Sequence, residues 1–372
     1  MGEASKDLLR LARNLIAFDS RSAVSNREIA DFLQSELIGF EIERLDFTDA
    51  AGVAKSSLVA RRGKGGQGGL AFSGHMDTVP PAGWNRDPFA ARVEGERLYG
   101  LGSADMKGPI AAFITAARDL PEDVPVMLLL SCDEETTKAG ARHIVAESHV
   151  LKAQNPDLIL VAEPTELTCV RGHRVDIQFI AETVGIQAHS SLPHGRNANL
   201  DLIPFLADMR ALHLKLRTER ASQDVAYTPP WCDLSIVVNN HGAAPNITVG
   251  KATCHMKFRY SKAIDPAWVV EAVERSAKAH GVTLEVRPEG HAPELAADHI
   301  YVRELEKLSG KPARVAGFGS DASQFSAVAP CLLFGPGSMA QAHQPDEFIS
   351  LFALQDSVSL YRQLASRFAT RK

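Results

Sequence analysis

Apolar positions along the chain fall into two textures, and the change between them divides it. In the first texture, Leu8, Leu9, Leu11, Ala12, Leu15 and Ile16 recur at helical spacing. A second helix opens at Ser25 or Asn26, carries Glu28 in its first turn, and runs through Phe32, Leu33 and Leu37. Alternation predicts strands over 40–47 and 57–62, and the run Leu70-Ala71-Phe72, bounded by glycines, predicts a buried strand. Residues 91–98 read as a hairpin leading to Gly100-Leu101-Gly102, and Asp105-Met106-Lys107-Gly108-Pro109 opens an apolar helix over 110–120. The continuous apolar run 124–130 fits a strand buried on both faces of a mostly parallel sheet. A helix over 139–146 and a strand over 158–162 repeat the unit. Strands alternating with helices describe an open α/β sheet, which places its ligands beyond the carboxyl ends of its strands.

Around Arg171 the period changes. Residues 175–184 alternate as an antiparallel strand, 197–216 are helical, and 234–239 and 252–260 are strands. A helix over 266–280 and a strand over 282–287 complete the order β-α-β-β-α-β, the ferredoxin-like split βαβ pattern. After about Glu294 the first texture returns: a helix over 298–309, a strand near Val315, a buried strand over 331–334 broken by Gly335-Pro336-Gly337, and a last helix over 350–369. The expected architecture is a mixed, mostly parallel sheet with helices on both faces, built from 1–170 and 293–372. An inserted α+β domain over 171–292 interrupts it. A chain of 372 residues exceeds what one core usually supports, which agrees with two domains.

A formal net charge of -5, with both signs interspersed, argues against a nucleic-acid surface. No apolar run approaches the roughly 20 residues of a membrane span. The N-terminal stretch carries charges within its apolar positions and reads as an amphipathic helix. Gly2 fails as a myristoylation site, because Lys6 stands where Ser or Thr is needed. Five scattered cysteines suit reduced thiols in a cytoplasm and exclude a CxxC metal knuckle. The glycine-rich RRGKGGQGG lacks the Lys-Ser/Thr ending of a phosphate loop and is expected to be a mobile hairpin tip.

The chemistry sits at the strand ends. In SGHMDTVP, His75 and Asp77 project to the same side of an extended segment, and a carboxylate there can fix the tautomer of a metal-binding imidazole. Alone, this pair reads equally well as a histidine satisfied in a polar turn. Asp105, Glu135, Glu163 and His343 lie likewise just past strands or at a helix start. Each carboxylate singly is a surface or capping residue more often than a ligand, so the signal is their joint placement. Two histidines with three carboxylates form a mixed N/O set that suits zinc and accepts cobalt or manganese. Five ligands are too many for one tetrahedral ion and suit two divalent ions about 3.5–4 Å apart.

The segments SGHMDTVP, GLGSADMKGP, DEET, AEPT and QAHQPDE, in this order and spacing, resemble the M20 family of metal-dependent amidohydrolases and peptidases. GIQAHSSLPHGRNAN, near the start of the inserted unit, is similar to that family's dimerisation or lid domain. The resemblance implies that His75 and Glu163 bind one metal, that Glu135 and His343 bind the other, and that Asp105 bridges them. It implies Asp77 as the partner of His75, Glu134 as general base and acid, and His189 as the donor that stabilises the oxyanion. Adjacent side chains on an extended segment point apart, so Glu135 can hold metal while Glu134 faces the water. Arg259 and Asn246 match positions that hold a substrate carboxylate, for which a guanidinium fork is suited. His189 reads otherwise as a cap or surface histidine, and Arg259 as a strand-end charge.

Within the family, FGPGSMAQAHQPDEFI is similar to members that deacetylate N-acetylornithine. FRYS and GSDA are similar to members that desuccinylate succinyl-diaminopimelate or deacylate N-acyl amino acids generally. The expectation is a cytoplasmic, homodimeric, two-metal amide hydrolase acting on a small N-acyl amino acid, first of all N-acetylornithine. Its rivals are desuccinylation or another N-acyl-amino-acid or dipeptide substrate. A different class of rival is an inert binding protein on the same fold, against which the intact Glu134 speaks.

Overall fold

The computed structural model describes residues 3–63 and 67–369. Lys64, Gly65 and Gly66 of the glycine-rich tip, and Gly2, lie outside the described residues. In chain order the elements are α1 (Glu3–Ala17), α2 (Arg27–Glu36), β1 (Glu41–Thr48), β2 (Ala54–Arg62), β3 (Leu70–His75), β4 (Arg92–Glu94) and β5 (Arg97–Tyr99). Then come α3 (Lys107–Arg118), β6 (Val126–Ser131), α4 (Ala139–Glu147), α5 (His149–Gln154), β7 (Leu158–Pro164) and β8 (Val170–His173). A second group follows: β9 (Val175–Val184), α6 (Ala198–Thr218), β10 (Asp233–Asn239), β11 (Lys251–Tyr260), α7 (Ala267–Ala279) and β12 (Thr283–Pro288). The chain ends with α8 (Ile300–Ser309), β13 (Arg314–Ala316), α9 (Ala322–Phe325), β14 (Cys331–Gly335), β15 (Phe348–Ser350) and α10 (Leu351–Ala369).

Two compact units result. The first comprises Met1–Gly172, Pro293–Val315 and Gly319–Lys372, and the second His173–Ala292 with Ala316–Phe318. The first unit is built on an eight-stranded sheet in the order β1-β2-β6-β3-β7-β14-β8-β13. Pairing is parallel across β6, β3, β7 and β14 and antiparallel where β1 and β2 join one side and β8 the other. The sheet is mixed, as expected, with its parallel strands at the centre. Those central strands are the fully buried apolar runs, because helices cover both faces. On one face Phe72 stacks on Phe113 of α3 at 5.8 Å and meets Tyr361 of α10 at 5.0 Å between ring centroids. Truncating such a buried ring to alanine costs about 3–5 kcal/mol. On the other face α4 and α9 touch each other and lie against β6 and β14.

Three short elements carried no readable period. Phe348–Ser350 forms a strand with β5 and β4 in a separate three-stranded sheet, so the last helix starts at Leu351. Residues 149–154 form a second helix after α4, and β8 is a four-residue strand. The strand expected from Ser57 begins at Ala54, because Lys55, Ser56 and Ser57 are polar yet buried.

The second unit is a four-stranded antiparallel sheet in the order β10-β11-β9-β12, with α6 and α7 packed on it. Counting its strands in chain order gives 2-3-1-4, the ferredoxin-like arrangement. β10 is an edge strand whose Ile236, Val237 and Val238 are exposed.

Candidate metal centre

The centre is assembled at the carboxyl ends of the central strands. β3 ends on His75, β6 runs into Asp133–Thr136, β7 contains Glu163, and Asp105 precedes α3. His75, Asp105 and Glu135 each offer a ligand atom, all within 4.8 Å of one another. Asp105 divides its two oxygens: Oδ1 is 3.1 Å from His75 Nε2, and Oδ2 is 3.5 Å from His343 Nε2. His343 Nε2 also lies 3.0 Å from Glu135 Oε1. Glu163 is buried, and the charges of Asp105 and His75 act on it.

The electrostatics are those of a crowded carboxylate cluster. Burial pushes Glu135 up to about 7, with the Asp105 charge adding and the His343 contact opposing. Burial, with Asp105 next, raises Glu163 well above the usual carboxylate range. Burial would also raise Asp105, but its bonds to His343 and His75 outweigh that and lower it. Contacts with Asp105 and Glu135 lift His343 to about 10. For His75, burial works downward and is overcome by Asp105 and Asp77, so the imidazole is raised. Buried carboxyls that resist ionisation around two imidazoles form a donor set that positive charge would relieve. Divalent ions fit it.

Around these side chains lies a shell of hydrogen bonds. His75 Nδ1 is 3.0 Å from the Asp77 carbonyl oxygen, while the Asp77 carboxylate stands 3.6 Å away, an ion-pair distance. The expected imidazole–carboxylate bond is thus made through the backbone, since β3 ends at His75 and the alternation stops there. The Asp77 carboxylate instead accepts Ser22 Oγ at 2.8 Å and the N–H groups of Glu134 at 3.1 Å and Glu135 at 3.3 Å. It thereby fixes the backbone of both glutamates. Ser22 belongs to a strap that also gives Ser20 Oγ to Met76 O at 2.6 Å. Lys55 Nζ holds this strap through Ser22 O and Val24 O and pairs with Asp133 at 2.7 Å. Glu347 accepts the N–H groups of Gly102, Ala104 and Asp105 at 3.1, 2.7 and 3.0 Å, and burial pushes it up to about 8.

Sequence reading did not single out Ser22, Lys55 or Glu347. Glu347 had a signal in the QPDE segment, but the strap had none, because it meets the turn only through tertiary packing.

The remaining expected residues lie in the second unit. His189 is exposed, with Nδ1 2.7 Å from Ser191 Oγ. Its strand-like segment bridges to Ile247, and Ser190 N donates to Asn246 O at 2.9 Å, so His189 and Asn246 share one loop pair. Arg259 is half-buried in β11, opposite Asp176 and Asp233. It stands eight residues beyond Lys251, the first residue of β11 and itself five residues past Asn246. Those eight residues span about 27 Å of extended chain. Arg259 thus stands well along β11 from the loop that carries Asn246.

The chain matches Peptidase family M20/M25/M40 over residues 71–367. It is 34% identical over 391 residues to acetylornithine deacetylase of Yersinia pseudotuberculosis serotype O:1b (strain IP 31758), covering 98% of each chain. It is 34% identical over 382 residues to acetylornithine deacetylase of Photorhabdus laumondii subsp. laumondii, covering 97% of each. Among solved structures it is similar to an M20 family metallo-carboxypeptidase of Sulfolobus solfataricus, with TM-score 0.76, 18% identity, and 99% and 100% of the chains covered. Human carnosine dipeptidase 1 gives TM-score 0.72 at 17% identity, covering 98% and 97%.

Proposed function

This chain belongs to peptidase family M20/M25/M40, and on that premise we propose a two-metal amide hydrolase that frees an amino acid from its N-acyl form, with N-acetylornithine as substrate. The observation that carries the reading is the division of Asp105, one oxygen toward His75 and the other toward His343. His75 and Glu163 would hold one ion, Glu135 and His343 the other, and Asp105 both. Zinc suits the N/O donor set, and cobalt or manganese would be accepted. When bound, the ions supply positive charge that acidifies a water and polarises the acyl carbonyl.

The protein's own groups do the rest. Glu134 takes the water's proton and returns it to the departing nitrogen. Asp77 keeps Glu134 in place through the backbone N–H bond it accepts. His189 donates to the developing oxyanion, and Asn246, on the same loop pair, joins it. Arg259, at the far end of β11, would hold the α-carboxylate.

Asn246 and Arg259 would serve one site from different copies of a homodimer, a reading that their separation along β11 supports. The apolar edge strand β10 is a natural pairing surface for such a dimer. The substrate choice is supported by the relatives named acetylornithine deacetylase, which align over nearly the full chain. Five buried free cysteines support a reducing, cytoplasmic setting. Among the described residues no helix is long and apolar enough to cross a membrane.

Amine release from zinc-loaded protein, given N-acetylornithine, N-succinyl-diaminopimelate and a few other N-acyl amino acids, tests the reading. The highest kcat/KM is expected on N-acetylornithine. Preference for the succinyl substrate would move the assignment within the family, and no release from any would overturn it. Mixing inactive His189→Ala and Glu134→Ala chains tests the shared site. With random exchange, half the dimers are mixed and one site in each is intact, so about a quarter of the sites should recover. No recovery after demonstrated exchange would place His189 in its own chain's site or outside catalysis.

A further inference from the structure

Lys138 stands beside the metal centre without being a ligand. Its Nζ lies 3.0 Å from Glu134 Oε1, and the two side chains are only 14% and 10% exposed. The turn between β6 and α4 aims it there. Asp133 O accepts the N–H groups of Thr136, Thr137 and Lys138, at 3.3, 3.0 and 2.7 Å. Both ends of that turn are left-handed, Asp133 at φ 60° and Lys138 at φ 54°. Left-handed backbone is unfavourable for residues with a β-carbon, and such conformations gather at functional sites. The Lys138 charge also reaches Asp321, a buried carboxyl whose Oδ1 has no hydrogen-bond partner among the described residues.

We propose that Lys138 is a positioning residue for Glu134. Its ammonium engages Oε1 and leaves Oε2 as the oxygen presented to water. The proposal rests on the assignment of Glu134 as general base. A second consequence follows from charge alone. Asp105, Glu134, Glu135 and Glu163 crowd the centre, and Lys138 is a cation beside them. Removing it makes the site more attractive to divalent ions while releasing the base. Metal affinity and turnover should therefore move in opposite directions, which damage to the fold would not produce.

The experiment compares Lys138→Met and Lys138→Arg with the wild type, using zinc-binding isotherms and steady-state kinetics on the panel's best substrate. Either substitution keeps a residue with a β-carbon at the left-handed position, so the backbone cost is unchanged. Lys138→Met should bind zinc about three- to tenfold more tightly than wild type, for a like charge removed from a partly screened site. Its kcat should fall about tenfold or more, with KM within about twofold. Lys138→Arg should restore most of kcat. Unchanged kcat in Lys138→Met, zinc affinity falling together with kcat, or failure of Arg to rescue would each overturn the proposal. Wild type that hydrolyses nothing would instead defeat the functional reading, and the isotherm of Lys138→Met would then decide the charge effect alone.

Discussion

The two histidines of the centre are built differently. His75 closes a central strand, is 1% exposed, and has Nδ1 held by the Asp77 carbonyl. Asp77 is itself fixed by Ser22 and by the N–H groups of Glu134 and Glu135. His343 lies in the connection between β14 and β15, at φ 60°, with a side chain 47% exposed. The partners of its Nε2 are the carboxylates of Glu135 and Asp105. His75 is oriented from behind, through Nδ1, whereas the contacts of His343 are at Nε2, the atom that would face an ion. Orientation of a ligand by the groups behind it is a large part of metal affinity. The His75 half should therefore bind first and tightly, and the His343 half later and more weakly.

The strongest way to break that contrast is to remove what both halves share. Asp105→Ala takes one oxygen from each histidine's side, so both ions should be lost on dialysis and turnover should fall by about a thousandfold or more. Two ions retained at full occupancy, by metal analysis, would contradict the bridge. His343→Ala is narrower: one ion should remain at near wild-type affinity while the other is lost. Asp77→Ala leaves every ligand in place and removes only support. The weak step of a zinc titration, which uses Glu135, should weaken about 10-fold or more, while the tight step changes less, because the Asp77 carbonyl still holds His75 Nδ1.

The smallest effect is that of pH on the metal-free protein. Burial pushes Glu135 to about 7, and Glu163 is raised likewise. A carboxyl raised on folding contributes stability below its unfolded value, and this is lost as pH rises through the folded value. Lys107, lowered to about 7 by burial, stays charged below that and adds little slope. Between about pH 5 and 6.5 the melting temperature of metal-free protein should therefore fall by a few degrees. Saturating zinc, which binds the ionised carboxylates, should remove that fall.

How much of this could be read from the chain follows the same division. His75, Glu135 and Glu163 stand at or just past the ends of buried apolar strands, so period and position were enough to place them at one edge of the sheet. The βαββαβ unit was legible because its strands and helices are long enough to show their periods. Ser22, Lys55 and Lys138 were not. Ser22 reaches Asp77 across 55 positions of chain, and Lys55 is a buried lysine in a strand, where polarity masked the pattern. The direction of Lys138 is set by a left-handed backbone that no period reports. Asn246 and Arg259 both matched positions that hold a substrate carboxylate, and their spacing along β11 could not be read from that match.

The central claim is that Glu134 moves protons while the residues around it hold the ions. Glu134→Gln keeps the size and shape of the side chain and removes the base. Metal content and amine release, measured on one preparation, test this most directly. The account predicts two ions per chain, as in wild type, and kcat reduced by about a hundredfold or more. Activity within about tenfold of wild type, or loss of an ion with the substitution, would contradict it.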